Sequence, residues 1–371
     1  MSALTQYDSW LADDGPAALV IREHLIPVEG PDAVFFPAGF APEEGADRDK
    51  SKFQGGYNID PRPPSPNGQN VCLVDSVGSQ ANRIEPLFAK EKYKRLIPQV
   101  VITAGEKQIS LLEAGHRAGD FVVRSTAVQA ELHKAFKAVQ AGNAEPLAKI
   151  APTSLVFGVW DSRNTQAKLP RLVASTIRAY NVRPLTRSAQ YNPAAEYEKE
   201  NLLPPPAELK LTEKKYGERG ASHVPAPATH GGVIADGGIR RDATLSLAAL
   251  RLLRAGTDEA KTLALRRYIL GLSLVALTAT ASTYLRQGCN LVPDVENPRQ
   301  FILVHGDGRR DPAAVTHDAA LAFASEAAVA FGVGEDKTVA FDKELAKKDV
   351  TGEGDAEKSK TAKTKAAKEK Q

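Results

Sequence analysis

The chain has 371 residues, with 48 Lys and Arg against 45 Asp and Glu, a formal net charge of +3, and 42% hydrophobic residues. That profile is globular, with material for a sizeable core, and it excludes a protein that is basic throughout, so affinity for a polyanion has to come from local charge. Cys72 and Cys289 are the only cysteines, which excludes a disulfide framework or a Cys-rich zinc site and predicts two buried thiols in a reducing cytoplasm.

Residues 1–37 predict a short helix and then a strand ending in Val34-Phe35-Phe36. Met1 to Leu11 contains Asp8 and shows no basic-then-apolar signal pattern, so the expectation is cytoplasmic. Residues 38–70 are rich in Gly, Pro, Asp and Asn, and Arg62-Pro-Pro-Ser-Pro66 fits no regular element. They predict a long loop with a small hairpin around Phe53 to Ile59, and long loops inside a compact domain usually carry function. Val71 to Val74 predicts a strand, and Gly78-Ser-Gln-Ala-Asn-Arg83 opens a helix ending near Lys90. Pro98 to Ala104 and Gln108 to Leu112 predict two more strands. His116 to Gln140 predicts one long helix, closed by Gly142-Asn143.

Thr153 to Trp160 is apolar, β-branched and aromatic, and predicts a buried strand. A turn follows through Asp161, Ser162, Arg163 and Asn164. Leu169, Leu172, Val173, Thr176, Ile177 and Tyr180 then recur at helical spacing, with Lys168, Arg171, Ser175 and Arg178 on the other side. That predicts a helix with one apolar and one cationic face. Residues 191–238 are a second irregular region, stiffened by Leu203-Pro-Pro-Pro206. Asp242 or Thr244 is expected to cap a helix to Arg254, and Thr257 with Asp258 and Glu259 to start the next. Ile269 to Leu285 carries Ser273, Thr278, Thr280, Ser282 and Thr283. It predicts a buried core helix, because a membrane span needs about 20 strongly apolar residues. Arg299 to His305 predicts a strand, and Thr316 caps a last helix ending at Gly332. Residues 343–371 have no aromatic and little to bury, and predict a disordered charged tail. The whole reads as α+β: one domain over 1–342 with irregular insertions at 38–70 and 191–238.

Motifs for nucleotide cofactors are missing: no Gly-x-Gly-x-x-Gly follows a strand and no phosphate loop has the right spacing. No nucleophile elbow occurs. His223 and His230 lie in a Pro/Gly loop without acidic or Cys partners, so no metal is expected. His116 reads as a hydrogen-bonded helix-start residue and Asp161 as a turn residue pairing with a cation. No enzyme, metal or cofactor is expected.

The cations argue differently. Arg163, Lys168, Arg171, Arg178, Arg183 and Arg187 occur in a run without a single Asp or Glu. Arginine predominates, and its planar fork suits phosphate. Gly78 to Arg83 and Gly237-Gly-Ile-Arg-Arg241 add Gly-rich turns whose amides can approach phosphates. Tyr180, Tyr191 and Tyr197 offer rings for base stacking.

Several of these segments are familiar together. Asp75-Ser-Val-Gly-Ser-Gln-Ala-Asn-Arg-Ile-Glu-Pro86, Ser154-Leu-Val-Phe-Gly-Val-Trp-Asp-Ser-Arg163, Arg183-Pro-Leu-Thr-Arg-Ser-Ala-Gln-Tyr-Asn-Pro193, and Thr229-His-Gly-Gly-Val-Ile234 with Gly238-Ile-Arg-Arg-Asp242 stand in order. They resemble the backbone subunit of the type I-U (I-G) CRISPR interference complex, Cascade, in the RAMP superfamily. The resemblance spans about residues 15–330. It implies a modified RNA-recognition-motif (ferredoxin-like) palm with inserted finger and thumb-like segments, for which 38–70 and 191–238 are the candidates. It implies a protein that polymerises along one CRISPR RNA and presents the guide to a target DNA strand. Its partners would be copies of itself, other Cascade subunits and a recruited nuclease-helicase; no membrane is involved. Carried over by motif, the RNA-binding positions are Ser79, Gln80, Asn82 and Arg83; Arg163, Gln166, Lys168 and Arg171; Arg187, Ser188 and Gln190; and Arg240 and Arg241. Arg178 and Arg183 join them from the charge run. A RAMP-type endoribonuclease that processes CRISPR RNA and a protein-only scaffold remain the alternatives.

Overall fold

The computed structural model describes residues 3–61 and 67–352. The Arg62 to Pro66 segment and residues 353–371 of the expected tail lie outside the described residues. The fold is mixed α+β, built on a curled nine-stranded antiparallel sheet. Across it the strands run Tyr284–Arg286, Cys289–Pro293, Ala18–Pro27, Ile239–Ser246, Val173–Tyr180, Val71–Asp75 and Ile59–Asp60. Gln300–Val304 also pairs with the first half of Ala18–Pro27, and with Arg310–Pro312.

The central strands alternate strictly. Leu19, Ile21, Glu23 and Leu25 are buried, as are Ile239, Arg241, Ala243 and Leu245, and Val173, Ser175, Ile177 and Ala179. The odd positions therefore face inward and the even positions outward, as the two-residue period of a strand requires. Over the inner face lie the Val77–Ile84 helix and a pair formed by Glu259–Thr278 and His317–Phe331. The pair packs closely because Gly271 meets the Ala324 backbone; a Cβ there would lie 2.8 Å from the Ala324 Cα. The buried core helix expected over Ile269 to Leu285 holds only to Thr278; residues 280–284 are exposed and Tyr284–Arg286 is a strand, and no helix among the described residues is long and apolar enough to cross a membrane. Thr316 caps the His317–Phe331 helix and Gly332 ends it in a left-handed conformation, both as read from the sequence.

Several expectations fail. Thr153–Phe157 is a short helix, not a strand, ended by Gly158 at φ 78°. All five of its residues are buried, and an element buried all round shows no period that tells helix from strand. Val173–Tyr180 is a strand, not a helix. Its apolar residues fit a 3.6 period, but Val173, Ser175, Ile177 and Ala179 alternate, and β-branched Val173, Thr176 and Ile177 favour the pleat. The helix expected over 116–140 is broken: Asp120 caps a turn at Phe121–Arg124, and Thr126 accepts from the Val128 N–H to begin Val128–Gln140. Short polar side chains compete with the helical ladder in this way. Finally, Ile239–Ser246 is a strand, and Ser246 rather than Asp242 or Thr244 caps the one-turn helix Leu247–Leu250.

Val182–Tyr191 and Val224–Ala235 form a two-stranded antiparallel arm. Its first strand is exposed along most of its length. The root is buried: Val233 pairs with Phe35, and Val182 and Ala235 join a second apolar core with Cys72, Val74 and Cys289. Both thiols are free and fully buried, and burial pushes Cys72 up to about 12 and Cys289 up to about 11. Residues 343–351 are helical rather than tail. Asp342 caps them, Ala346 is buried, and Asp349 pairs with Arg124 at 3.1 Å.

Candidate nucleic-acid interface

Three of the first group of candidate side chains, Ser79, Gln80 and Arg83, are drawn onto one buried carboxylate. Asp75, at the end of its strand, is fully buried. Its carboxylate accepts from Ser79 Oγ at 2.9 Å, Gln80 Nε2 at 2.7 Å, Arg83 Nε at 3.2 Å and Arg286 Nη2 at 2.8 Å. Gln80 Oε1 in turn accepts from Ser175 Oγ at 3.0 Å. Next to this, Glu23 and Arg241 stand opposite each other in register, with the Arg241 Nε 3.2 Å from Glu23 Oε2. Arg299 donates to Glu23 Oε1 at 2.6 Å. Asp75, Gln80, Ser175, Arg241 and Glu23 thus form a polar belt across the inner face, separating the larger core from the one beneath the arm. A buried carboxylate must be paired to be tolerated, and this explains the spacing of Asp75 to Arg83 without a ligand.

A second buried pair lies behind the belt. Arg117, at φ 53°, places Nε 2.7 Å from Glu85 Oε2 and donates to Gly158 O and to Asn82 Oδ1, both at 3.3 Å. It ties the helix end at Asn82 to the turn at Gly158. Burial outweighs the guanidinium and pushes Glu85 up to about 7.

The turn after Trp160 carries the next candidates. Asp161, buried, accepts from Asn164 N, Thr165 N and Thr165 Oγ1. It is the turn residue expected, but its partners are the turn's own amides and hydroxyl rather than a cation. Gln166, at φ 59°, donates to Ser162 O. Lys168 sits 5.6 Å over the ring of exposed Trp160. Arg163 and Arg171 are exposed and form no ion pair among the described residues.

The strand assignment redistributes the cationic stripe. Ser175 points inward and Arg178 outward, so they do not share a face. Seven residues that would span about 10 Å on a helix span up to roughly 23 Å in an extended chain, so Arg171, just before the strand, stands farther from Arg178 than a helix would put it. Arg178 sits on the outer face directly across from Arg240, which faces His24 on the next strand. Arg240 is held by Asp242 at 2.9 Å and lies 5.1 Å over the Tyr180 ring. Arg22 stands opposite Asp242 and, like Arg178, is exposed without an ion pair among the described residues. Arg22 and His24 were missed from the sequence; the alternation of Ala18 to Pro27 would have put both on the face opposite Leu19, Ile21 and Leu25.

The strip continues onto the arm. Asn181, at φ 49°, bends the chain from Val173–Tyr180 into Val182–Tyr191. Arg183 pairs with Asp236 at 2.6 Å, holding that carboxyl below its usual range. Arg187 and Ser188 are exposed on the arm, and Gln190 contacts His223 at 3.3 Å. His223 also meets Glu196 at 2.9 Å. No cluster of His, Cys, Asp and Glu among the described residues is suited to a metal. Arginines 171, 178, 183 and 187 therefore line one bent ribbon, while Arg83 and Arg241 belong to the interior.

No curated protein matches the chain. Residues 19–184 match the family model of the CRISPR-associated protein GSU0053. The matched stretch holds the Asp75 to Arg83 motif, the Gly158 to Arg163 turn, Arg171 and the strand bearing Arg178, and ends at the root of the arm. Over those residues, a little under half of its length, the chain is similar to that CRISPR-associated family.

Proposed function

We propose that this protein is a non-enzymatic subunit that holds CRISPR RNA in a Cascade complex of type I-U/I-G. Copies lie side by side along one guide, and the guide bases stay free to pair with a strand of target DNA. The curled sheet acts as the RRM-like palm and the arm from Val182 to Ala235 as the thumb-like segment. Other Cascade subunits complete the particle, and a recruited nuclease-helicase does the cutting.

One observation carries the reading: the ribbon from Arg171 to Arg187 bears four outward arginines and no carboxylate of its own. Cations spread along an extended strand match a charge repeated along a polymer better than a single compact anion. Contacts of this kind neutralise phosphates and position the strand without reading bases, which a protein that must accept any guide requires. Arg171→Glu with Arg178→Glu should weaken binding of a single-stranded guide RNA at least about tenfold in a filter titration, with the circular dichroism spectrum unchanged. Unchanged affinity would remove the ribbon from the interface. Incubation with end-labelled repeat RNA should leave it whole; metal-independent cutting lost in His116→Ala would favour the processing nuclease instead.

A further inference from the structure

The polar belt borders a cavity of about 580 Å3, set between the end of the Glu259–Thr278 helix, the Val77–Ile84 helix and the inner face of the sheet. Its floor is apolar, with Leu25, Ile177 and Leu291. Its charged lining is unbalanced: one carboxylate, Glu23, against Arg83, Lys90, Arg241 and Arg299. Glu23 is already paired twice, by Arg241 and Arg299. Lys90 is exposed and forms no ion pair among the described residues. Arg241 is thus matched by Glu23, and Arg83 turns its Nε to Asp75 at 3.2 Å. A surplus of cations over an apolar floor calls for a partner that carries negative charge.

We propose that this cavity binds a small organic anion: a flat apolar ring carrying one phosphate or carboxylate. The volume lies within the roughly 300–1,000 Å3 usual for small-ligand sites. The ring would lie on Leu25, Ile177 and Leu291, with the anionic group between Lys90 and Arg83. Inorganic phosphate lacks the part that would cover the floor, and a neutral nucleoside lacks the charge. The site is separate from the arginine ribbon, because Ile177 faces the cavity and Arg178, its neighbour in the strand, faces outward.

The test is calorimetric titration of the full chain with AMP and, separately, with indole-3-acetate; adenosine and inorganic phosphate are the controls. At least one of the two anions should saturate with a Kd below about 1 mM, and both controls should bind at least about tenfold more weakly. The tighter anion assigns the ligand to the nucleotides or to the aromatic acids. Lys90→Glu should weaken it at least about tenfold, and Ala281→Trp, at an exposed position on the lining, should block it. Arg178→Glu should leave it unchanged while weakening RNA, so failure of this site and failure of the RNA interface read out separately. Saturation by neither anion with a Kd below about 1 mM overturns the proposal, as does affinity untouched by both Lys90→Glu and Ala281→Trp.

Discussion

Glu85 and Gly158 show how much of this fold hangs on single side chains. Glu85 titrates near 7 when folded against an ordinary 4.5, so between those values the folded state binds more protons than the unfolded one. Stability should therefore fall as pH rises from about 4.5 to 7 and level off above, a change of up to ~3 kcal/mol. Melting temperature against pH checks the sign. In Glu85→Gln that slope should vanish: the amide stands in for the neutral carboxyl, so the variant should match the protein near pH 4 and be the more stable of the two above pH 7. Gly158 adopts φ 78° and ψ 154°, a region almost reserved for glycine. A Cβ there would also meet Leu169 O and the Arg171 side chain, each at 2.9 Å. Gly158→Ala should lower stability by at least about 1–3 kcal/mol in a urea titration, and should loosen the turn that presents Arg163 and Arg171.

Among elements, the strand Val173–Tyr180 decides the most. Its eight residues satisfy both a helical and an alternating pattern, and only pairing with Ile239–Ser246 and Val71–Asp75 on its two sides makes the second win. The consequence is functional: a compact basic helix face becomes a bent ribbon with its arginines well apart. The helix Lys343–Thr351 teaches the converse. Its composition reads as tail, yet the Arg124 side chain is mostly buried and takes Asp349 as its partner. Asp349→Ala should cost about 1–3 kcal/mol, read as a lower melting temperature; an unchanged value would mean the helix is not docked.

For the whole molecule, the electrostatic test is the salt dependence of RNA affinity. With roughly five phosphates engaged per copy, log K should fall against log salt with a slope of about −3.5. In the Arg171→Glu, Arg178→Glu variant the slope should shrink by more than one. A flat salt response would argue for a protein-only scaffold. The polar belt matters at this scale too. It divides the interior into two apolar cores under one sheet and leaves the cavity at their boundary, so the sheet is held together by charge pairs where a helix no longer covers it.

The sequence by itself determined the α+β class, the two buried thiols, the helix Thr316 caps, and the acid-free run from Arg163 to Arg187. Each depends on local chemistry: composition, a cap, a glycine stop, or charge counted along the chain. Which arginines face solvent was decided only by the tertiary structure. Arg83 and Arg178 look alike in sequence, and so do Arg240 and Arg241. Strand register puts Arg241 opposite the buried Glu23 of another strand, and the helix Val77–Ile84 turns Arg83 back onto the buried Asp75. Parity leaves Arg178 in the open, because burial of a charge depends on what the fold brings opposite it, which no local pattern records.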